Sequence, residues 1–169
     1  MNKRTFVFQG MCYSGKTTLG KLLANHLNVD FLDSRDLFFK IHGVSEIYYL
    51  KTYGKEKFIQ AEKESLQQDF QNVFSCGGSA IYYPNEMNTL HEKYEIIWLD
   101  AELDVILKRK HYEGTERPIV YPTGINSFEE LYQERCKLYK QYFTHRIKIA
   151  QDEDPHVTLQ KIIKIINSS

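Results

Sequence analysis

Residues 10–17 read Gly-Met-Cys-Tyr-Ser-Gly-Lys-Thr, which fits the phosphate-loop pattern GxxxxGK[ST] without a mismatch. No other segment restricts the possible folds as much, because this loop works only between a strand and a helix. Both are legible beside it. Thr5–Gln9 is a β-branched and aromatic run, read as a buried strand. Lys16–Leu27 places Leu19, Leu22, Leu23, Ala24 and Leu27 at helical spacing. Gly10 and Gly15 permit backbone conformations closed to residues with a Cβ, so successive N–H groups turn toward one phosphate. The positive end of the following helix adds to the same field. Lys16 supplies a full charge to the β- and γ-phosphates, and the Thr17 hydroxyl is a magnesium ligand. The pattern implies ATP and Mg²⁺, with Gly10, Cys12, Tyr13, Ser14, Gly15, Lys16, Thr17 and Thr18 around the phosphates.

Beyond the loop, strands and helices alternate. A short second strand ends near Asp33. Helical stretches follow at Arg35–Ile41 and Gly54–Phe70, separated by a segment containing Ser45–Leu50. Asn72–Ser75 reads as a third strand, interrupted by Cys76-Gly77-Gly78-Ser79. Tyr94–Leu99 is a fourth strand and Arg146–Ala150 a fifth. Leu103–Lys110, Phe128–Phe143 and Val157–Ile166 read as helices. This order predicts an α/β three-layer P-loop NTPase fold: a central parallel sheet of about five strands with helices on both faces. Ligands then belong beyond the carboxyl ends of the strands, where Gly10 stands. Residues 1–169 are expected to form one domain.

The remaining features narrow the class. The 22 basic and 22 acidic residues cancel, and no basic run marks a nucleic-acid face. Neither a signal-peptide pattern nor an apolar run of membrane-spanning length is present. The three cysteines, Cys12, Cys76 and Cys136, form no CxxC pair and read as reduced thiols. A cytoplasmic monomer without nucleic-acid or membrane partners is expected.

Several short motifs then follow in an order that resembles the shikimate kinase family. Phe31-Leu32-Asp33 matches the start of an F-x-D-x-D element, and Cys76-Gly77-Gly78 stands at a triple-glycine loop. Arg117-Pro118 matches a lid motif, within a lid at about residues 111–124. Glu134-Arg135, followed by Leu138-Tyr139, matches a late helix. The resemblance implies that Asp33 supports magnesium and that Arg117 closes over the transferring phosphoryl group. It places Arg109 near adenine, and Gly77, Gly78 and Arg135 beside the acceptor.

The acceptor half departs from the family pattern. Arg35 stands where the second aspartate of F-x-D-x-D would hold the acceptor hydroxyl. Asp36 is adjacent, but one helical residue turns a side chain by about 100°. Ile59 occupies the position of an arginine that binds the shikimate carboxylate, with Phe58 and Glu62 fixing the register. Losing one partner of a buried charge-assisted contact costs about 2–5 kcal/mol. A kinase acting on a small hydroxylated metabolite other than shikimate, anionic or not, is therefore expected. Arg35, Ile59, Arg135 and Asp33 would face that acceptor, and Ile59 with Phe38, Phe39, Tyr48, Tyr49 and Phe58 would make the cleft apolar or simply belong to the core. An authentic shikimate kinase and a nucleotide-binding regulatory protein without turnover are the alternatives.

Overall fold

A computed structural model describes residues 4–113 and 119–168. Five strands, β1 (Phe6–Gln9), β2 (Phe31–Asp33), β3 (Val73–Ser75), β4 (Glu95–Ala101) and β5 (His145–Ile149), form one sheet in the order β2-β3-β1-β4-β5. Every pairing is parallel. All four residues of β1 are buried, as a strand covered on both faces requires. The helices are α1 (Lys16–Leu27), α2 (Ser34–His42), α3 (Glu46–Tyr53), α4 (Lys55–Leu66), α5 (Pro84–Lys93), α6 (Leu103–Glu113), α7 (Phe128–Tyr139) and α8 (Pro155–Asn167). The three-layer arrangement is the one the alternating pattern predicts.

Local chemistry sets most of the boundaries. Asp33, Ser45, Ser127 and Asp154 each cap the next helix by accepting a backbone N–H, from Arg35, Tyr48, Glu130 and His156 respectively. α1 differs: Gly15 precedes it at φ 100° with no side-chain cap, and no acid lies in its first turn. Its first N–H groups are left to whatever the loop holds.

Two helices go beyond the sequence reading. α5 buries only Met87 and Leu90, too little apolar periodicity to stand out, although Pro84 at its first position marks the start. α3 buries no residue at all. The segment containing Ser45–Leu50 is thus helical because Ser45 caps it and it packs beside α2 and α4.

The apolar interior has two parts. The main core surrounds the sheet and includes Phe8, Leu23, Phe74, Ile97, Trp98 and Ile162. A separate cluster joins Phe38 of α2 to Phe58 and Ala61 of α4, with Tyr49, Leu50 and Val120 packed on it. Phe39 and Tyr48 are exposed. Phe38, Tyr49 and Phe58 therefore hold these helices together, and none of them lines the cavity beside the phosphate loop.

At Gly20 of α1 an added Cβ would clash with the Phe31 ring and lie 3.0 Å from Ser75 Oγ. Gly20→Val is expected to destabilise the fold by about 1–3 kcal/mol through overpacking, read as a lower urea midpoint.

Candidate functional site

The loop between β1 and α1 lies at the carboxyl end of the sheet. Gly10 has φ 143°, and a Cβ there would lie 2.8 Å from the Leu99 carbonyl oxygen of β4, so only glycine lets the chain turn so close to the neighbouring strand. Tyr13 takes a left-handed φ of 65°, a conformation costly for a bulky residue and retained where the surroundings impose it. Ser14 is fully buried. Lys16 Nζ donates to the Gly10 and Met11 carbonyls, each at 2.8 Å, so the ammonium lies folded over the loop.

Thr17 Oγ1 donates to Asp33 Oδ2 at 2.7 Å. Asp33 is buried at the end of β2. Burial alone would raise its carboxyl, but hydrogen bonds from Thr17 and Arg35 outweigh that effect and hold it below the usual range. A hydroxyl and an ionised carboxylate side by side are hard oxygen donors suited to Mg²⁺, which completes its shell from phosphate oxygens and water. No cluster of three or more His, Cys, Asp or Glu metal ligands exists among the described residues. These two residues thus fit a metal carried in with the nucleotide.

Two cavities flank the loop. The larger, of ≈ 610 Å³, is lined by Tyr13, Gly15, Thr18, Arg109 and Pro155 among others, and has room for a nucleoside. Arg109 Nη1 donates to the Tyr13 carbonyl at 3.3 Å, which ties α6 to the loop. The smaller, of ≈ 70 Å³, lies on the opposite side of Lys16. It gathers Lys16, Thr17, Asp33, Arg35, Gly77, Gly78 and Arg135, so most of the expected acceptor-side residues meet there. Its walls carry the charged groups of Lys16, Asp33, Arg35, Glu46, Glu62 and Arg135.

Arg135 is 3% exposed. Its guanidinium stacks over Tyr82, with 5.3 Å to the ring centre, and lies so near Gly78 that a Cβ there would meet Nη1 at 2.8 Å. Burial disfavours the charge, yet the surrounding tyrosines help keep Arg135 cationic. Among the described residues its Nε has no hydrogen-bond partner. A buried, incompletely satisfied guanidinium suits a carboxylate or phosphate ligand.

Not every expected residue falls in place. Ile59 packs against the main core and does not line the small cavity, so the acceptor wall is not made apolar by it. Asp36 is exposed on α2 and does not line the small cavity. Arg117 lies outside the described residues, as does most of the Glu113–Pro118 part of the lid. The beginning of that lid, from His111 to Glu113, is the last turn of α6.

Glu62 is the group that sequence reading used only to fix register. It accepts the Ser79 hydroxyl at 2.6 Å and the Tyr83 hydroxyl at 2.5 Å, at the wall of the small cavity. A signal was present: α4 buries Phe58, Ala61, Ser65 and Leu66, and Glu62 is a carboxyl at a core-facing position of that stripe. Burial pushes its pKa up, against the lowering effects of Ser79, Tyr83 and Arg135. The folded state therefore keeps the Glu62 proton to higher pH than the unfolded chain. This group favours folding most below the ordinary carboxylate range, and the contribution fades as pH rises through the raised value. Glu62→Gln should gain stability relative to the parent as pH rises above the ordinary carboxylate range, measured as the difference in urea midpoints.

The cysteines stay separate. Burial pushes the Cys76 thiol up to about 12, leaving it a poor nucleophile beside the cavity.

The family is shown by comparison with known proteins. The family described as shikimate kinase matches residues 13–167. A shikimate kinase of Synechococcus elongatus is 32% identical over 164 residues, covering 94% of this chain and 84% of the relative. One from Rhizobium meliloti is 32% identical over 144 residues, with 82% and 74% covered. Among solved structures, shikimate kinase from Acinetobacter baumannii in complex with shikimate superposes with a TM-score of 0.83 at 23% identity, covering 98% and 93% of the two chains. A sugar kinase from Janibacter shares the fold more distantly, with a TM-score of 0.61 at 16% identity over 98% and 95% of the chains. With its phosphate loop, paired Thr17 and Asp33, and matched length, this chain belongs to the shikimate kinase family of ATP- and magnesium-dependent small-molecule kinases.

Proposed function

We propose that this kinase transfers the γ-phosphoryl group of ATP to a hydroxyl of shikimate. The observation that carries the reading is Arg135, a buried guanidinium with an unpartnered Nε on the cavity that also holds Lys16. An acceptor whose carboxylate meets Arg135 would present its hydroxyls toward the loop. The named relatives support shikimate over the altered acceptor that Arg35 and Ile59 led the sequence reading to expect. Since the family consists of kinases, the regulatory alternative is not carried forward.

In this reading the loop N–H groups and Lys16 cradle the terminal phosphates, and Thr17 with Asp33 would hold magnesium. Bound magnesium neutralises charge on the β- and γ-phosphates. Arg109 would lie against the base, with Tyr13 and Thr18 shaping the nucleotide side, Ser14 buried within the loop and Cys12 on the small cavity. Gly77, Gly78 and Arg135 would orient the acceptor, and Arg117 would come from the lid. Transfer is in line and needs mostly positioning and charge stabilisation. A coupled assay should register shikimate-dependent ADP release; none at saturating shikimate would reject this acceptor.

A second reading retains the kinase and changes the acceptor. It is favoured by Arg35, whose guanidinium lies where the family pattern has a carboxylate, and by Ile59 in the core. A screen of quinate, gluconate and other hydroxy acids would then find turnover where shikimate gives none. Under this reading, Arg35→Asp combined with Ile59→Arg should raise shikimate-dependent ADP release by about tenfold or more, because each restored contact is worth about 2–5 kcal/mol.

A further inference from the structure

Arg35 lines the small cavity beside Lys16, Thr17 and Asp33. Its backbone N–H and its Nε both donate to Asp33 Oδ1, each at 3.1 Å, while Asp33 Oδ2 accepts the Thr17 hydroxyl at 2.7 Å. One buried carboxylate is thus divided between a guanidinium and the hydroxyl that follows the loop lysine. The Arg35 side chain is 49% exposed and lines the small cavity together with Lys16 and Glu46. Glu46 and Asp36 are the other acids whose charge it feels. Its neighbourhood is therefore not a surface pair remote from the chemistry. A permanent cation shares the very carboxylate that a metal would use.

Resting on the kinase reading of the phosphate loop, we propose that Arg35 is a built-in counter-ion of the phosphate site. It is a positioning residue that fixes Asp33 against Thr17 and supplies positive charge to bound phosphates, which makes nucleotide binding less dependent on magnesium. Without metal, the phosphates meet Lys16, the loop N–H groups and Arg35. With metal, Arg35 and the incoming cation repel each other and compete for Asp33. Arg35 therefore helps most when magnesium is absent. Removing it also exposes the phosphates to an unneutralised Asp33, which deepens the loss in the metal-free state and eases the metal's access. Metal and arginine are negatively coupled through one carboxylate.

The test is calorimetry with the non-hydrolysable ATP analogue AMP-PNP, in excess magnesium and in EDTA, for the parent protein, Arg35→Met and Arg35→Lys. The quantity read is the ratio of the two dissociation constants, EDTA over magnesium. Arg35→Met should raise this ratio about tenfold, and Arg35→Lys, which keeps the charge, should stay within about threefold of the parent. Circular dichroism establishes that both variants are folded, as expected for a half-exposed side chain. An unchanged ratio in folded Arg35→Met overturns the proposal, as does a lysine variant that behaves like the methionine one. Failure of the parent itself to bind AMP-PNP with magnesium would overturn the kinase reading as well, and so is distinguishable.

Discussion

Lys16→Ala is expected to reduce ADP release by at least about 10²–10³-fold, the usual cost of removing one charge-stabilising group from a preorganised site. The loop should survive the change. Lys16 spends two hydrogen bonds on the Gly10 and Met11 carbonyls, but Gly10 is fixed independently by its close approach to Leu99. The melting temperature should therefore move little while turnover collapses. A variant that keeps more than about a tenth of the parent rate would place the transferring phosphoryl group elsewhere, since a tenfold loss corresponds to only about 1.4 kcal/mol.

Arg135→Met should raise the KM for shikimate by a factor of about 30 to several thousand, as follows from about 2–5 kcal/mol for a buried charged contact. Nucleotide affinity should stay near the parent value, because Arg135 lines the small cavity and not the larger one. The magnitudes also separate function from folding. Replacing a buried ionic group by an apolar side chain of similar length is often neutral or stabilising, and methionine can still pack on Tyr82. A variant that is as stable as the parent and unchanged in shikimate KM would remove Arg135 from the acceptor site.

The donor half of the site was legible because the phosphate loop is local. Its eight residues, the strand before and the helix after are contiguous, and the backbone does most of the binding. The sheet was legible for a related reason: β1 and β4 carry the unbroken apolar runs Phe6–Phe8 and Ile96–Leu99, as strands covered on both faces do. The acceptor half resisted because its groups come from α2, α4, the loop after β3, and α7, and their orientation depends on tertiary packing. Ile59 shows the limit. Register placed it at an acceptor-binding position, yet a branched apolar side chain goes to the core, and the neighbouring turn presents Glu62 instead. The aromatic residues of α2 and α4 were ambiguous in sequence for the same reason, since core and cleft demand the same residue types. α3 lacked any buried face to betray it.

The separate Phe38–Phe58–Ala61 cluster has a consequence for how such an enzyme can diversify. Helices α2 to α4 draw their cohesion from their own small apolar knot, so replacements on their cavity-facing side need not disturb the sheet or the glycine-bounded loop. Selection can retune what is phosphorylated while the machinery that handles the donor is inherited intact. Arg35 stands in that adjustable part of the molecule, whereas Ile59 packs on the main core.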